Sequence, residues 1–547
     1  MPRAPWSRRA AAHAASGQSS AGRSSEPLDA KLAYTSVTYI DVTEPEGRTI
    51  VSDGQHSDIA IIGAGFSGLG TAIRLKQEGI EDFVVLERGE DVGGTWHYNT
   101  YPGCGCDVPS HLYSFSFAPN PTWTRTYSRQ PEIRDYLRRC ADDFGVRPHV
   151  KLGCEVRSAA WDDEAQQWRI ETSAGNFTAR VLVTGMGPLT EPKTPDLPGI
   201  DAFEGHVMHS ARWDHDYDLK GKRVASIGTG ASAIQYVPSI QPDVSQLHVF
   251  QRTPPWIFPH TDRPTTRAER RLYRAFPGLQ RLVRGAVYAG RETNVMGFVK
   301  NPKFLRVAEL MARRHMRKQV PDPQLREKIT PDYKIGCKRI LPSNRWFPAL
   351  SKPNVELVTS GVKEVRANSV IDEDGVEREV DAIIFGTGFN VADMPAGRAV
   401  RGRDGRTLGE VWQGSPRAYL GTAIAGFPNL FMLLGPNTGL GHSSMIYMIE
   451  SQIAHVLAAL RAMKQNGSET AEVRPAVAES FNQRIDGQME ATVWNTGCSS
   501  WYLDDTGRNG TLWPDWTFRF RSRAAEFDLS AYDLGDTKPG DREPVAA

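Results

Sequence analysis

Asp58-Ile-Ala-Ile-Ile62 runs without a break into Gly63-Ala-Gly65-Phe-Ser-Gly68. A short apolar stretch that reads as a buried strand is followed at once by a glycine turn, then by a helical run from Leu69 to Glu78. Each glycine has a physical task in such a unit. Gly63 makes the tight turn, Gly65 lets the backbone approach a pyrophosphate, and Gly68 lets helix pack on strand. The helix start offers unpaired N–H groups to the phosphates. A second strand, Phe83 to Leu86, ends in Glu87, at the distance where an acid accepts a ribose hydroxyl. A glycine turn that packs only for its own sake needs neither the second strand nor the acid, so the stretch is read as a dinucleotide site.

Working outward, Gly93-Gly94-Thr95-Trp96 and Tyr101-Pro102-Gly103-Cys104-Gly105-Cys106-Asp107 are expected to form an irregular loop laid against a ligand. Asp107 is the only carboxylate between Asp91 and Glu132; a site group and a turn-capping Asp are both open readings of it. Further on, Arg223 to Ile227 is another strand entering Gly228-Thr-Gly230-Ala-Ser-Ala233, with a helix toward Val237. The next strand, Gln246 to Phe250, ends in Gln251-Arg252-Thr253 rather than in an acid. An arginine there suits a ribose 2′-phosphate through charge-assisted contacts, and its competing reading is an exposed surface charge. The first turn therefore prefers an FAD- or NAD-type ribose and the second NADPH. The chain reads as α/β, with two dinucleotide-binding, Rossmann-like domains and a helical insertion.

At 547 residues the chain is long enough for two to four domains of about 150 residues. Its formal charge of +1 gives no global case for nucleic acid. Cys104, Cys106, Cys140, Cys154, Cys337 and Cys498 include no C-x-x-C pair, so neither a metal site nor a dithiol redox centre is signalled, and a reducing cytoplasm fits best. No apolar run suits a membrane-spanning helix. The N-terminal extension, 1–53, is expected to be flexible, with a targeting signal as the lesser reading of its Ala-, Arg- and Ser-rich start. The FAD domain is expected over 54–190, the NADP domain over 191–262, a helical insertion over 263–330, the rest of the NADP domain over 331–380, the rest of the FAD domain over 381–530, and a tail over 531–547. Residues 263–318 carry fifteen Lys and Arg against Glu269, Glu292 and Glu309. That patch reads as a solvated helical face, with NADPH steering and weak peripheral contact with an anionic membrane as the other readings. Near the end, Asn495 to Trp516 is aromatic and glycine-punctuated, a lid loop or a surface aromatic cluster.

Just upstream of the second turn stands Phe203-Glu-Gly205-His-Val-Met-His209-Ser-Ala-Arg-Trp213-Asp214. It matches F-x-G-x-x-x-H-x-x-x-W-[PD], and Gly94, Trp96, Tyr101, Pro102, Gly103 and Asp107 match G-x-W-x-x-x-x-[FY]-P-G-x-x-x-D. On these two patterns, in order between the glycine turns, the chain resembles the type I Baeyer-Villiger monooxygenases over roughly residues 55 to 520. The related N- and S-oxidising flavin-containing monooxygenases share the glycine turns but usually carry Phe or Tyr where Trp213 stands.

The resemblance implies an NADPH- and O2-dependent flavoprotein. In such enzymes a flavin C4a-peroxide attacks a ketone, and one oxygen atom is inserted beside the carbonyl to give an ester or lactone. The resemblance places the active-site arginine at Arg339 and its orienting acid at Asp107. It assigns Lys338 and Arg252 to the NADP 2′-phosphate and Trp501 to the nicotinamide ribose. It gives Phe203, Gly205, His209 and Trp213 a hinge role rather than a share in proton transfer. Trp96 and Thr253 join the cofactor-binding set. The alternatives are an N- or S-oxidising flavin monooxygenase and a flavin-binding sensor that has lost catalysis. The implied partners are a small ketone and O2, with no metal, and the sequence leaves the ketone and the oligomeric state open.

Overall fold

Ile59, Ala60, Ile61 and Ile62 are all buried because their strand is covered on both faces, which is why the run is apolar without alternation. The computed structural model describes residues 54–391 and 394–536, so the extension expected over 1–53 and the tail beyond 536 lie outside the described residues. The strand Gln55–Ile62 lies parallel between Gly175–Thr184 and Phe83–Leu86, with Ile59 opposite Val181 and Phe83. Val150–Lys151 extends this first sheet beyond Phe83–Leu86, while Gln167–Thr172, Val156–Asp162 and Val400–Arg401 extend it on the other side. Leu430–Met432 pairs with the far half of Gly175–Thr184. Helix α1, Phe66–Gln77, follows the glycine turn and buries Leu69, Ala72, Ile73 and Leu75. Each fully buried leucine or isoleucine contributes about 2 kcal/mol.

The second sheet has five parallel strands in the order Val355–Val358, Gln246–Phe250, Arg223–Ile227, Ala382–Phe385, His206–His209. Helix α2, Ala233–Ile240, follows its glycine turn. One boundary here differs from the sequence reading. Ala382–Phe385, expected to open the second part of the FAD domain, pairs instead with Arg223–Ile227 and His206–His209. An apolar run with every residue buried reads the same in either sheet, because the choice of neighbour is made by distant residues. The stretch around His209, expected within the NADP domain as a hinge, supplies an edge strand of the second sheet.

Between Phe250 and Val355 the insertion forms helices Arg267–Ala275, α3 (Pro277–Glu292), α4 (Leu305–Gln319) and Pro323–Lys328. The C-terminal part adds α5, Met445–Asn466, and α6, Thr517–Ala525. Residues 532–536, expected to belong to the tail, form the strand Tyr532–Asp536 against Ser468–Val473. Among the described residues no helix is long and apolar enough to cross a membrane.

Candidate active site

At the first turn Gly63 has φ +94°, and a Cβ there would stand 2.8 Å from the Gly185 carbonyl oxygen. A Cβ on Gly68 would come within 1.8 Å of the Gly63 oxygen, so helix and strand meet here only through glycine. Gly65 faces Gly94, whose Cβ would lie 2.9 Å from the Gly65 Cα. No side chain caps α1, which leaves the amides of its first turn to a ligand. Glu87 is buried, and its carboxylate accepts from the Ala64 and Gly89 N–H groups at 2.7 and 2.8 Å and from the Tyr98 hydroxyl at 3.1 Å. About four lone-pair sites against three donors leave room for one ribose hydroxyl. Thr184, opposite Ile62 at the carboxyl end of the sheet, has a buried Oγ1 with no partner. These features fit FAD. Trp96 packs edge-on to Tyr113 and donates from Nε1 to its hydroxyl at 3.1 Å, so it shapes the wall of the site.

The loop from Tyr101 to Asp107 bridges the two nucleotide units. Gln235 of α2 accepts from the Tyr101 hydroxyl at 3.1 Å and from the Gly105 N–H at 3.2 Å, and it donates to the Gly105 carbonyl at 3.0 Å. Gly103, at φ +83°, lies so close to α2 that a Cβ would stand 2.6 Å from the Gln235 carbonyl oxygen. This docking holds Asp107 in place. Arg339 donates to the Asp107 carboxylate from Nε at 3.0 Å and from Nη2 at 2.6 and 2.8 Å. Arg291, from the last turn of α3, donates to the Asp107 carbonyl at 3.1 Å. Burial, the largest single influence, would raise the Asp107 carboxyl, but the charge and hydrogen bonds of Arg339, with the charge of Arg291, together outweigh it and hold the group below the ordinary range. In return, Asp107 raises the Arg339 guanidinium against the opposing effect of burial. Arg339 is a permanent cation whose side chain keeps 34% of its exposure, and its Nη1 lies outside the pair. Burial pushes the nearby Tyr502 phenol up to about 12, against the pull of the Arg339 charge, so it stays neutral.

At the second turn Gly228 has φ +106° and packs on Gly386, while a Cβ on Gly230 would meet nothing within 4 Å. That open approach is what a pyrophosphate needs. Thr229 donates from Oγ1 to the Thr253 carbonyl at 3.3 Å, and Arg252 is exposed. Lys338 lies over the Tyr333 ring at 4.9 Å, and its ammonium is lowered by burial and then by the Arg252 charge, so the two cations feel each other. The pair suits an NADP 2′-phosphate.

The stretch around His209 is built from steric locks. A Cβ on Gly205 would be 2.5 Å from the Phe203 ring and 2.6 Å from the Asp381 carbonyl oxygen, so glycine and phenylalanine require each other. His209 Nδ1 accepts from the Ala211 N–H at 3.0 Å, and burial lowers the imidazole to about 4. It is neutral at ordinary pH, in keeping with a structural part. Trp213 packs on Tyr236 of α2 at 5.6 Å.

Three features escaped the sequence reading. Cys337 and Cys498 form a disulfide across 161 residues with Cα atoms 6.3 Å apart, which the expected reducing surroundings did not foresee; spacing rules see only local pairs. The bond ties the segment leading to Arg339 to the 495–516 loop. In that loop Tyr502 and Trp513 are buried, as is Trp494 just before it, and Trp501 stands 50% exposed, so most of the expected lid is anchored core. Asn437 holds the loop through bonds to the Asn509 and Leu512 carbonyls at 2.8 and 3.0 Å. Third, His442 is buried with neither ring nitrogen hydrogen-bonded, and its Nε2 is 3.7 Å from Glu292 Oε2. Glu292 in turn accepts from the Thr517 N–H and hydroxyl at 2.5 and 2.8 Å, capping α6.

Comparison with known proteins places this geometry. A family model described as pyridine nucleotide-disulphide oxidoreductase matches residues 60–269. A Baeyer-Villiger monooxygenase of Streptomyces coelicolor is 56% identical over 482 residues, covering 88% of this chain and 93% of the relative. One of Pseudomonas aeruginosa is 53% identical over 486 residues, covering 88% and 92%. The solved structure of an oxidised steroid monooxygenase bound to NADP superposes with a TM-score of 0.80 at 30% identity, covering 88% of this chain and all 100% of that one.

Proposed function

We propose a division of labour among these residues from the premise that the chain belongs to the Baeyer-Villiger monooxygenases. It is an FAD-dependent oxidoreductase that uses NADPH and O2 to insert one oxygen atom beside a ketone carbonyl. Bound FAD supplies the redox chemistry, taking a hydride from NADPH and activating O2.

Within that reaction, Arg339 is the residue that stabilises the negative charge developing on the ketone oxygen. The observation that carries this reading is its two-pronged pairing with Asp107, which keeps the guanidinium charged and fixes its plane while leaving Nη1 outside the pair. A preorganised cation in a dry site contributes several kcal/mol to such a step. Asp107 is the positioning residue, held by Gln235 through the loop and by Arg291 at its carbonyl. Gly63, Gly65, Gly68 and Glu87 hold FAD, with Trp96 in the wall. Gly228, Gly230, Arg252, Thr253 and Lys338 hold NADPH, and Trp501 covers the nicotinamide ribose. Phe203, Gly205, His209 and Trp213 transmit movement between the nucleotide units. The substrate is a ketone, and linear, cyclic, aryl and steroid ketones define the range to be searched.

The test is a ketone panel assayed for NADPH consumption above the uncoupled background, with product identification. Arg339→Ala is expected to keep flavin reduction while ester or lactone formation falls by at least ~100-fold. Wild-type product rates in that variant would remove Arg339 from the chemistry. Turnover of amines or thioethers far above every ketone would favour the N- and S-oxidising reading instead.

A further inference from the structure

The insertion turns two different faces to its surroundings. Inward, α3 sends Gln280, Arg284 and Tyr288 onto the first domain, with Arg284 donating to the carbonyls of His111, Leu112 and Ser114 at 2.8 to 3.2 Å. Outward, Phe276 and Leu282 are 62% and 69% exposed. Helix α4 is divided in the same way. Leu305, Ala312 and Met316 are buried, whereas Val307, Leu310 and Met311 are 66%, 66% and 47% exposed, and Phe304 before them 58%. At 100° per residue, Val307, Leu310, Met311 and Arg314 fall on the side opposite the buried stripe. A soluble surface normally keeps such residues single, not gathered along one segment.

The charge on that outer side has one sign. Lys303, Arg306, Arg314, Arg317 and Lys318 are exposed there. Each of the three acids within residues 263–318 is committed elsewhere. Glu269 caps its own helix at Thr266 and pairs with Arg263 at 2.7 Å. Glu309 pairs with Arg313 at 2.9 Å, and Glu292 is buried against the start of α6. Exposed apolar side chains interleaved with cations match an anionic lipid interface, where the apolar groups enter the acyl boundary and the cations meet headgroup phosphates. A second copy of this face would oppose cation to cation. We propose that the outer side of α4, with Phe304, is a docking surface for an anionic lipid bilayer.

The test uses the purified full-length flavoprotein sedimented with phosphatidylcholine vesicles with and without phosphatidylglycerol. Wild type is expected to pellet with the anionic vesicles at low salt, and not with the neutral ones. Val307→Ser combined with Leu310→Ser and Met311→Ser should weaken binding at least ~10-fold, and so should Arg314→Glu with Lys318→Glu. Turnover of a water-soluble ketone should be unchanged in both variants, which shows that they are folded. Failure of wild type to bind anionic vesicles overturns the proposal. So does unchanged binding of the triple serine variant, which would reduce the effect to unspecific charge adsorption, or capture by an acidic protein in the absence of any vesicle binding.

Discussion

Gly103 shows how a single absent side chain can govern a distant one. Its φ of +83° and its contact with the Gln235 carbonyl leave no place for a methyl group. Gly103→Ala should lift the loop from α2 and shift Asp107, and with it the plane of Arg339. The expected outcome is a drop of about 10-fold or more in coupled product per NADPH with FAD still bound, read as peroxide released against ester formed. Arg252→Ala should raise the KM for NADPH by roughly 10-fold or more and leave that for NADH nearly unchanged. Equal effects on the two nucleotides would end the 2′-phosphate assignment. Asp107 was legible in the sequence because it falls on a family pattern, and Arg339 because the resemblance built on those patterns assigns it its place. Arg291 and Glu292 were not, since within a run of basic residues nothing marks the two that the last turn of α3 carries inward. His442 stood beside a glycine turn, but its lack of hydrogen bonds is a fact of three-dimensional packing alone.

At the level of elements, the glycine turns and the strands leading into them could be read directly. The runs Phe83–Leu86, Arg223–Ile227 and Gln246–Phe250 begin and end where turn residues interrupt buried apolar stretches. Strand neighbours could not be read, and so Ala382–Phe385 was expected in the wrong sheet. The last strand, Tyr532–Asp536, was hidden because a short polar segment near a chain end looks like a tail. Tyr532 is nonetheless buried, stacked on Phe527 at 4.3 Å and hydrogen-bonded to His455 Nε2 at 2.8 Å. Ending the chain after Ser530 should therefore destabilise the fold by about 3–5 kcal/mol, the scale of losing a buried aromatic. The measurement is the thermal midpoint of the holoenzyme, and a midpoint equal to wild type would show that the strand is dispensable.

For the molecule as a whole, His209 and His455 set an acid limit. Burial lowers both imidazoles from 6.5 to about 4. In the unfolded chain they protonate near 6.5, whereas in the folded protein they resist until about 4. Their contribution to stability is thus complete above pH 6.5 and is lost as the pH falls toward 4. Thermal midpoints should fall across that window, and His455→Gln should flatten the dependence. The disulfide acts at the same scale. Between its two nucleotide units the backbone crosses once after Thr184 and returns before Val400. Hydrogen bonds from the Tyr101–Asp107 loop to Gln235 and Arg339 join the units again. The bond from Cys337 to Cys498 adds a covalent fastening to these. Opening it with a thiol reductant is therefore expected to quicken release of bound NADP, and an unchanged release rate would show that the bond does not restrain the site.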